Sequence, residues 1–354
     1  MKTISLFIIS LISFSCTSNS KHEKVKTVDS VISQQPVIVK DDFKKGEVIS
    51  SVNLRNDTSQ KFALYLPSTY SEAEKFPVII FFDPHGEGTV PLNLYFKLAE
   101  KYRFILIASN SSKNGLDMQT TNAIAGNLIN EVSTRFSVDK TKISLCGFSG
   151  GAKVALLTGA ENTSISNIIY CGASIDFHPN HPLNILGFAG KRDMNYTDVV
   201  SFEWNLKNVP FKHFLIEWNG KHEFPIAGVF NNAFDLLTTG EIKNYAKKQI
   251  TITPQKVNDE QAIKQKYMEA FKSKDINWWK QEIQTLNSKK KNDLMYERLL
   301  GFISLACYSY SNNALQQNNL DAAEYILTIY KLADPENEAM KQFTEDLNRR
   351  KNQH

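Results

Sequence analysis

The sequence predicts a doubly wound α/β domain with a mostly parallel sheet, followed by a small all-α region. Three observations predict it. Short apolar runs at Phe76–Phe82, 104–108 and 184–188 are continuous rather than alternating, as in strands buried on both faces. Helical patterns separate most such runs, so the strands connect through right-handed crossovers. Strand signals then stop after Gly240, and helical patterns rich in Lys, Asn and Gln run from Gln261 to the C-terminus. A chain of 354 residues suits one large domain and a smaller one, and 42% apolar residues can fill a sizeable core. The net charge of +4 comes without a basic stripe interleaved with aromatics, which argues against a nucleic-acid partner.

Residues 1–16 read as a signal peptide. Met1 and Lys2 give a positive start, and residues 4–14 form an apolar segment broken only by serines. It is shorter than the roughly 20 apolar residues that span a bilayer. The segment ends in Ser13-Phe14-Ser15-Cys16, which resembles a bacterial lipoprotein signal with Phe14 where a small residue is usual. The resemblance implies that Cys16 is lipidated and becomes the mature N-terminus. The protein would then be exported and lipid-anchored to a bacterial cell-envelope membrane, touching it through that lipid only. An ordinary signal peptide cut near Ser15 is the alternative, and it also exports the protein. Residues 17–45 are polar and aperiodic, a flexible tether. Cys146, Cys171 and Cys307 remain, an odd number without framework spacing. They read as buried free thiols, not as a disulfide scaffold or zinc site.

The α/β domain is expected over residues 46–240. Residues 61–66 alternate and end at Pro67, an early antiparallel strand with residues 52–54 as its hairpin partner. Phe76–Phe82 follows, a buried strand that stops at Asp83-Pro84-His85-Gly86. Residues 92–98 have helical spacing, and 104–108 form the next buried strand. Across residues 117–136, Ile124, Leu128, Val132 and Phe136 mark one helix face. Further strands are expected at 142–146, 168–171, 184–188 and 213–217, with helices at 197–206 and 226–237. Residues 255–350 form the helical region. There Leu300-Gly301, Ala306, Tyr308, Ala314, Ala322-Ala323, Tyr325 and Pro335 follow an order that resembles one tetratricopeptide unit, whose small residues let paired helices approach. That resemblance implies a protein-binding surface, with a plain helical appendage as the alternative. Lys289-Lys290-Lys291 reads as a solvated loop.

The chemistry centres on Gly147-Phe148-Ser149-Gly150-Gly151, between the strand at 142–146 and a helical run from Ala152. A serine at a strand-to-helix turn, with glycine two before and two after, is the nucleophile-elbow pattern. Strand and helix nearly touch there, so the flanking residues must be small. A serine hydroxyl needs a base, a carboxylate to orient that base, and donors for the oxyanion. His222 follows the last apolar strand after Gly220 and is the candidate base. Asp193 follows the strand at 184–188 and Gly190, and is the candidate acid, with Asp198 and Asp176 as competing choices. His178 and His181 read as loop residues. The oxyanion donors are expected in the N–H groups of Gly150 and of Glu87, in the glycine-bearing loop after Phe82.

The order Ser149, Asp193, His222, with His85-Gly86 upstream, resembles the α/β-hydrolase superfamily over about residues 46–240. The resemblance implies Ser–His–Asp acyl transfer through an acyl-enzyme, with no cofactor. The connection between Cys171 and Asn184 leaves little room for a lid, which suggests an open, shallow site like those of compact esterases. The function so implied is an exported serine carboxylesterase acting on small-molecule or polysaccharide-linked acyl esters. A serine peptidase of the same fold is the nearest alternative. A binding lipoprotein that docks a protein partner through its helical tail is the alternative from another class. At the N-terminus, labelled palmitate should enter the wild type and not Cys16→Ser; processing near Ser15 without lipid label would favour the ordinary signal peptide.

Overall fold

The computed structural model describes residues 41–206, 209–243 and 250–353. The expected signal segment, Cys16 and most of the tether lie outside the described residues. The strands are β1 (Val48–Asn53), β2 (Lys61–Tyr65), β3 (Phe76–Phe82), β4 (Ile105–Ser109), β5 (Val138–Phe148), β6 (Ile165–Cys171), β7 (Asn184–Gly190) and β8 (Lys212–Trp218). They form one sheet in the order β1-β2-β4-β3-β5-β6-β7-β8. The pairs β1–β2 and β2–β4 are antiparallel and every other pair is parallel. Val52 pairs with Phe62 and Asn53 with Lys61, the hairpin that alternation suggested.

Continuous apolarity in the central strands reflects burial on both faces. In β3, Val78, Ile80 and Phe82 point into one core and Ile79 and Phe81 into the other. The first core is closed by α2 (Met118–Arg135), α3 (Gly150–Glu161) and α4 (Tyr196–Asn205), through residues such as Leu128, Ala155 and Val199. The second is closed by α1 (Thr89–Tyr102) and α5 (Ala227–Thr239), whose Tyr95 and Phe230 rings stack with centroids 3.8 Å apart. A sheet of this order, wound on both faces, with a serine turn after β5, has the architecture of the α/β-hydrolase fold.

Among the described residues five more helices follow: α6 (Pro254–Ser273), α7 (Ile276–Lys289), α8 (Leu294–Gln316), α9 (Leu320–Ala333) and α10 (Glu338–Lys351). Each begins at a side-chain cap, Thr253, Asp275, Asp293, Asn319 or Asn337, that accepts a first-turn N–H. Such caps each contribute about 1 kcal/mol. The first helix starts earlier than its periodicity suggested, because Thr253 caps it and Pro254 fits the first helical position. The helices share a core of their own around Trp279, Ile303 and Leu327. The tetratricopeptide-like residues fall on α8, on α9 and in the turns that follow them. No helix among the described residues is long and apolar enough to cross a membrane.

The helical region is held to the sheet domain through buried charge, and residues 43–354 form one unit. Glu260 of α6, fully buried, takes a forked pair of bonds from the Arg298 guanidinium of α8, at 3.1 and 2.6 Å. Arg298 Nη1 also donates to the Lys191 carbonyl at 2.7 Å, and the guanidinium covers the Tyr196 ring at 4.9 Å. Lys264 Nζ donates to the Met194 carbonyl at 2.6 Å and to the Thr197 hydroxyl at 3.0 Å. Removing one partner of a buried pair leaves the other charge uncompensated. Arg298→Met should therefore lower the free energy of urea unfolding by about 3 kcal/mol; a loss under about 0.5 kcal/mol, the range of ordinary surface changes, would contradict this account of the junction.

Candidate active site

Parallel register brings the carboxyl ends of β3, β5, β6, β7 and β8 to one edge. Phe82 lies opposite Gly147, Phe148 opposite Cys171, and Gly190 opposite Trp218. Each sequence-predicted triad residue leaves the sheet at this edge.

Ser149 joins β5 to α3 with φ 52° and ψ −120°, a conformation rarely taken by a residue with a side chain. Its N–H donates to the Cys171 carbonyl at 2.9 Å, which ties the turn to β6. A Cβ on Gly147 would overlap the Gly151 carbonyl, and one on Gly151 would overlap the Phe82 carbonyl. The glycines are thus imposed by backbone contact on both sides of the serine. Gly150 opens α3, where first-turn N–H groups have no intrahelical acceptor and face developing negative charge favourably.

His222 Nε2 lies 2.9 Å from Ser149 Oγ, and its Nδ1 lies 2.9 and 3.0 Å from the two Asp193 carboxylate oxygens. The arrangement is one hydrogen-bonded chain in which Oγ–H donates to Nε2 and Nδ1–H donates to Asp193. The Asp193 carboxylate is 2% exposed and also accepts the Asn195 N–H at 2.8 Å. The imidazole lies against Phe148, with ring centroids 4.7 Å apart. Acid and base loops are stitched together: the Lys191 N–H donates to the Trp218 carbonyl and the Arg192 N–H to the Gly220 carbonyl, at 2.8 and 2.9 Å. Gly172, at φ 67°, closes the site from β6; a Cβ there would come 2.9 Å from Asp193 Oδ2 and 3.3 Å from His222 Nδ1.

Of the competing acids, Asp198 sits in the first turn of α4 and Asp176 is exposed in the β6–β7 loop. His178 and His181 lie in that loop too and do not line the cleft beside Ser149. The Glu87 N–H, read from sequence as an oxyanion donor, donates to Asp83 Oδ1 at 3.2 Å. Asp83 is buried and also takes the His85 N–H at 2.8 Å, so this carboxylate shapes the turn and occupies its donors. Sequence reasoning missed Asn114. Its side-chain amide fills the space where Gly150 lacks a Cβ, its N–H donates to the Pro84 carbonyl at 2.8 Å, and it lines the cleft. No local signal marks such a residue, because only the fold brings it to the elbow.

The cleft encloses about 1240 Å³. The short β6–β7 connection carries no helix or strand over it, as its length suggested. The open, shallow site expected on that ground is nonetheless walled on one side by α8, the turn before it and the α9–α10 turn. Lys290 and Lys291, read from sequence as a solvated loop, sit on its rim. Among the described residues Cys146, Cys171 and Cys307 are unpaired and buried, and burial pushes the Cys146 thiol well above its usual range, leaving it protonated and unreactive. Among the described residues, no group of three or more His, Cys, Asp or Glu side chains is placed to hold a metal ion.

No protein-family model and no curated protein matches this sequence. Solved structures do match. A hyperthermophilic esterase from the archaeon Pyrobaculum calidifontis is 10% identical, with 56% of this chain and 87% of that chain covered and a TM-score of 0.44. A butyrate-bound thermophilic esterase from Thermogutta terrifontis is 15% identical, covering 56% of this chain and 95% of that one, with TM-score 0.44. The fluorophosphonate-binding serine hydrolase F of Staphylococcus aureus is 14% identical, covering 55% and 99%, with TM-score 0.44.

Proposed function

We propose that this chain is a serine hydrolase that cleaves carboxylic esters through an acyl-enzyme. The observation that carries the reading is the unbroken chain from Ser149 Oγ through His222 to Asp193, with every link between 2.9 and 3.0 Å. In the first half-reaction Oγ attacks the ester carbonyl carbon while its proton passes to His222 Nε2. The carbonyl π electrons move onto oxygen, which the Gly150 N–H stabilises. Asp193 holds the imidazole in the tautomer that can accept this proton and stabilises the imidazolium that results. Collapse of the tetrahedral species breaks the bond to the leaving oxygen, which takes the proton from Nε2. Water then repeats the sequence on the acyl-enzyme, with His222 as its base, and releases the acid and free Ser149.

The helical tail bears on the alternative of a docking lipoprotein. Arg298 and Lys264 bond the carbonyls of Lys191 and Met194, on either side of Asp193, which favours a tail that serves the site. Wild-type protein should hydrolyse p-nitrophenyl acetate with a burst of one nitrophenol per chain, and Ser149→Ala should lose on the order of 10⁴-fold or more in kcat. Hydrolysis unchanged in Ser149→Ala would remove the assignment.

A further inference from the structure

The cleft is larger than a small ester needs, and its far wall is one face of α8. Leu294, Glu297, Gly301, Leu305 and Tyr308 line it, spaced three or four residues apart. At 1.5 Å per residue, that face runs about 21 Å from Leu294 to Tyr308. The loop that carries Asp193 abuts its middle. Arg192, beside Asp193, donates to Glu297 at 2.8 Å, and Met194 lies against Gly301.

The two ends of this face differ in chemistry. Lys290 and Lys291 stand just before the first residue of α8, and Lys113 and Lys221 reach the same cleft from the sheet domain. Against Lys113, Arg192, Lys221, Lys290 and Lys291 the lining sets two carboxylates, Glu297, which pairs with Arg192 and Lys221, and Asp334, which takes the Ser304 hydroxyl and the Asn337 amide at 2.9 and 3.0 Å. Positive charge is therefore in local surplus. Beyond the Met194 contact the wall carries Leu305 and Tyr308. Leu305 and Tyr308 are 42% and 43% exposed, unusual for large apolar side chains, and both face the cleft. Apolar surface left open inside a binding cleft is where an apolar ligand segment gains most from desolvation.

We propose that the substrate is an elongated anionic amphiphile: an ester with an apolar chain along α8 at Leu305 and Tyr308, and an anionic group at Lys290 and Lys291. The ester bond lies between them at Ser149. This rests on the esterase reading and extends it, since chain and anion fall on opposite sides of the scissile bond. It also gives the helical region a role, as the surface that selects the substrate.

Two pairs of monomeric esters test both orientations. One is the octanoyl ester of p-nitrophenol against that of the same phenol carrying a carboxylate. The other is octyl acetate against the octyl monoester of succinic acid. In at least one pair the wild type should favour the anionic ester by about tenfold in kcat/KM after correction for spontaneous hydrolysis, and added salt should erode the preference. The double variant Lys290→Glu, Lys291→Glu should bring that ratio to about one. Leu305→Ser with Tyr308→Ser should cut the octanoyl-to-acetyl ratio of p-nitrophenyl esters about tenfold. Equal rates within both pairs, or a preference untouched by charge reversal, would overturn the proposal while hydrolysis of p-nitrophenyl acetate left the esterase reading standing. Failure to hydrolyse any ester would remove both.

Discussion

The meeting of β3, β5 and α3 around Ser149 is the constraint on which the site depends. Strand and helix approach until the Gly147 and Gly151 positions have no space for a side chain, and the serine between them is held at φ 52°. Strain of this kind costs on the order of 1–3 kcal/mol and persists only where the surroundings over-determine it. Here they do. The Ser149 N–H is bonded to β6, and the strands on either side, with Ile80 and Leu145 among their buried residues, belong to the first core. The hydroxyl is thereby aimed over the sheet edge before any ligand arrives. That is the preorganisation a nucleophile requires.

The second dependence runs through the acid loop. A buried ion pair such as Glu260–Arg298 is weak evidence for stability by itself, since an apolar replacement of both partners can be as stable. What an apolar pair could not supply is hydrogen bonding to particular carbonyls. Arg298 bonds Lys191 and Lys264 bonds Met194, so the backbone on each side of Asp193 is held by the tail, while Arg192 is paired to Glu297. Three side chains thus link the loop that bears Asp193 to helices far along the sequence. The same docking turns α8 into a wall of the cleft.

Much of the sheet domain was legible in the sequence because burial on both faces writes continuous apolar runs. Phe76–Phe82 is a strand with the limits its apolarity suggested, and the other parallel strands differ from expectation mainly in extent. The elbow was legible because backbone crowding demands glycine at fixed offsets. Asp193 and His222 could be singled out because each follows a strand end, and the fold brings both to Ser149. The rest was hidden for physical reasons. Lys264, Glu260 and Arg298 look like ordinary charged helix residues, since a 3.6-residue rhythm does not say which charges are buried. Lys290 and Lys291 stand in a solvated turn, as read, but their place on the cleft rim was hidden because the opposing surface lies far away in sequence. Asn114 left no trace because only the fold brings it to the elbow, and the engagement of the Glu87 N–H by Asp83 left none because backbone donors carry no residue signature.

In the proposed mechanism Ser149 is a nucleophile activated through His222 and Asp193. The most direct measurement is mass-spectrometric mapping of the adduct formed by a fluorophosphonate probe on the folded full-length protein. The account predicts a single stoichiometric adduct on Ser149, formed far more slowly in His222→Ala and in Asp193→Asn. A folded protein that takes no label, or that is labelled at another residue, would contradict it.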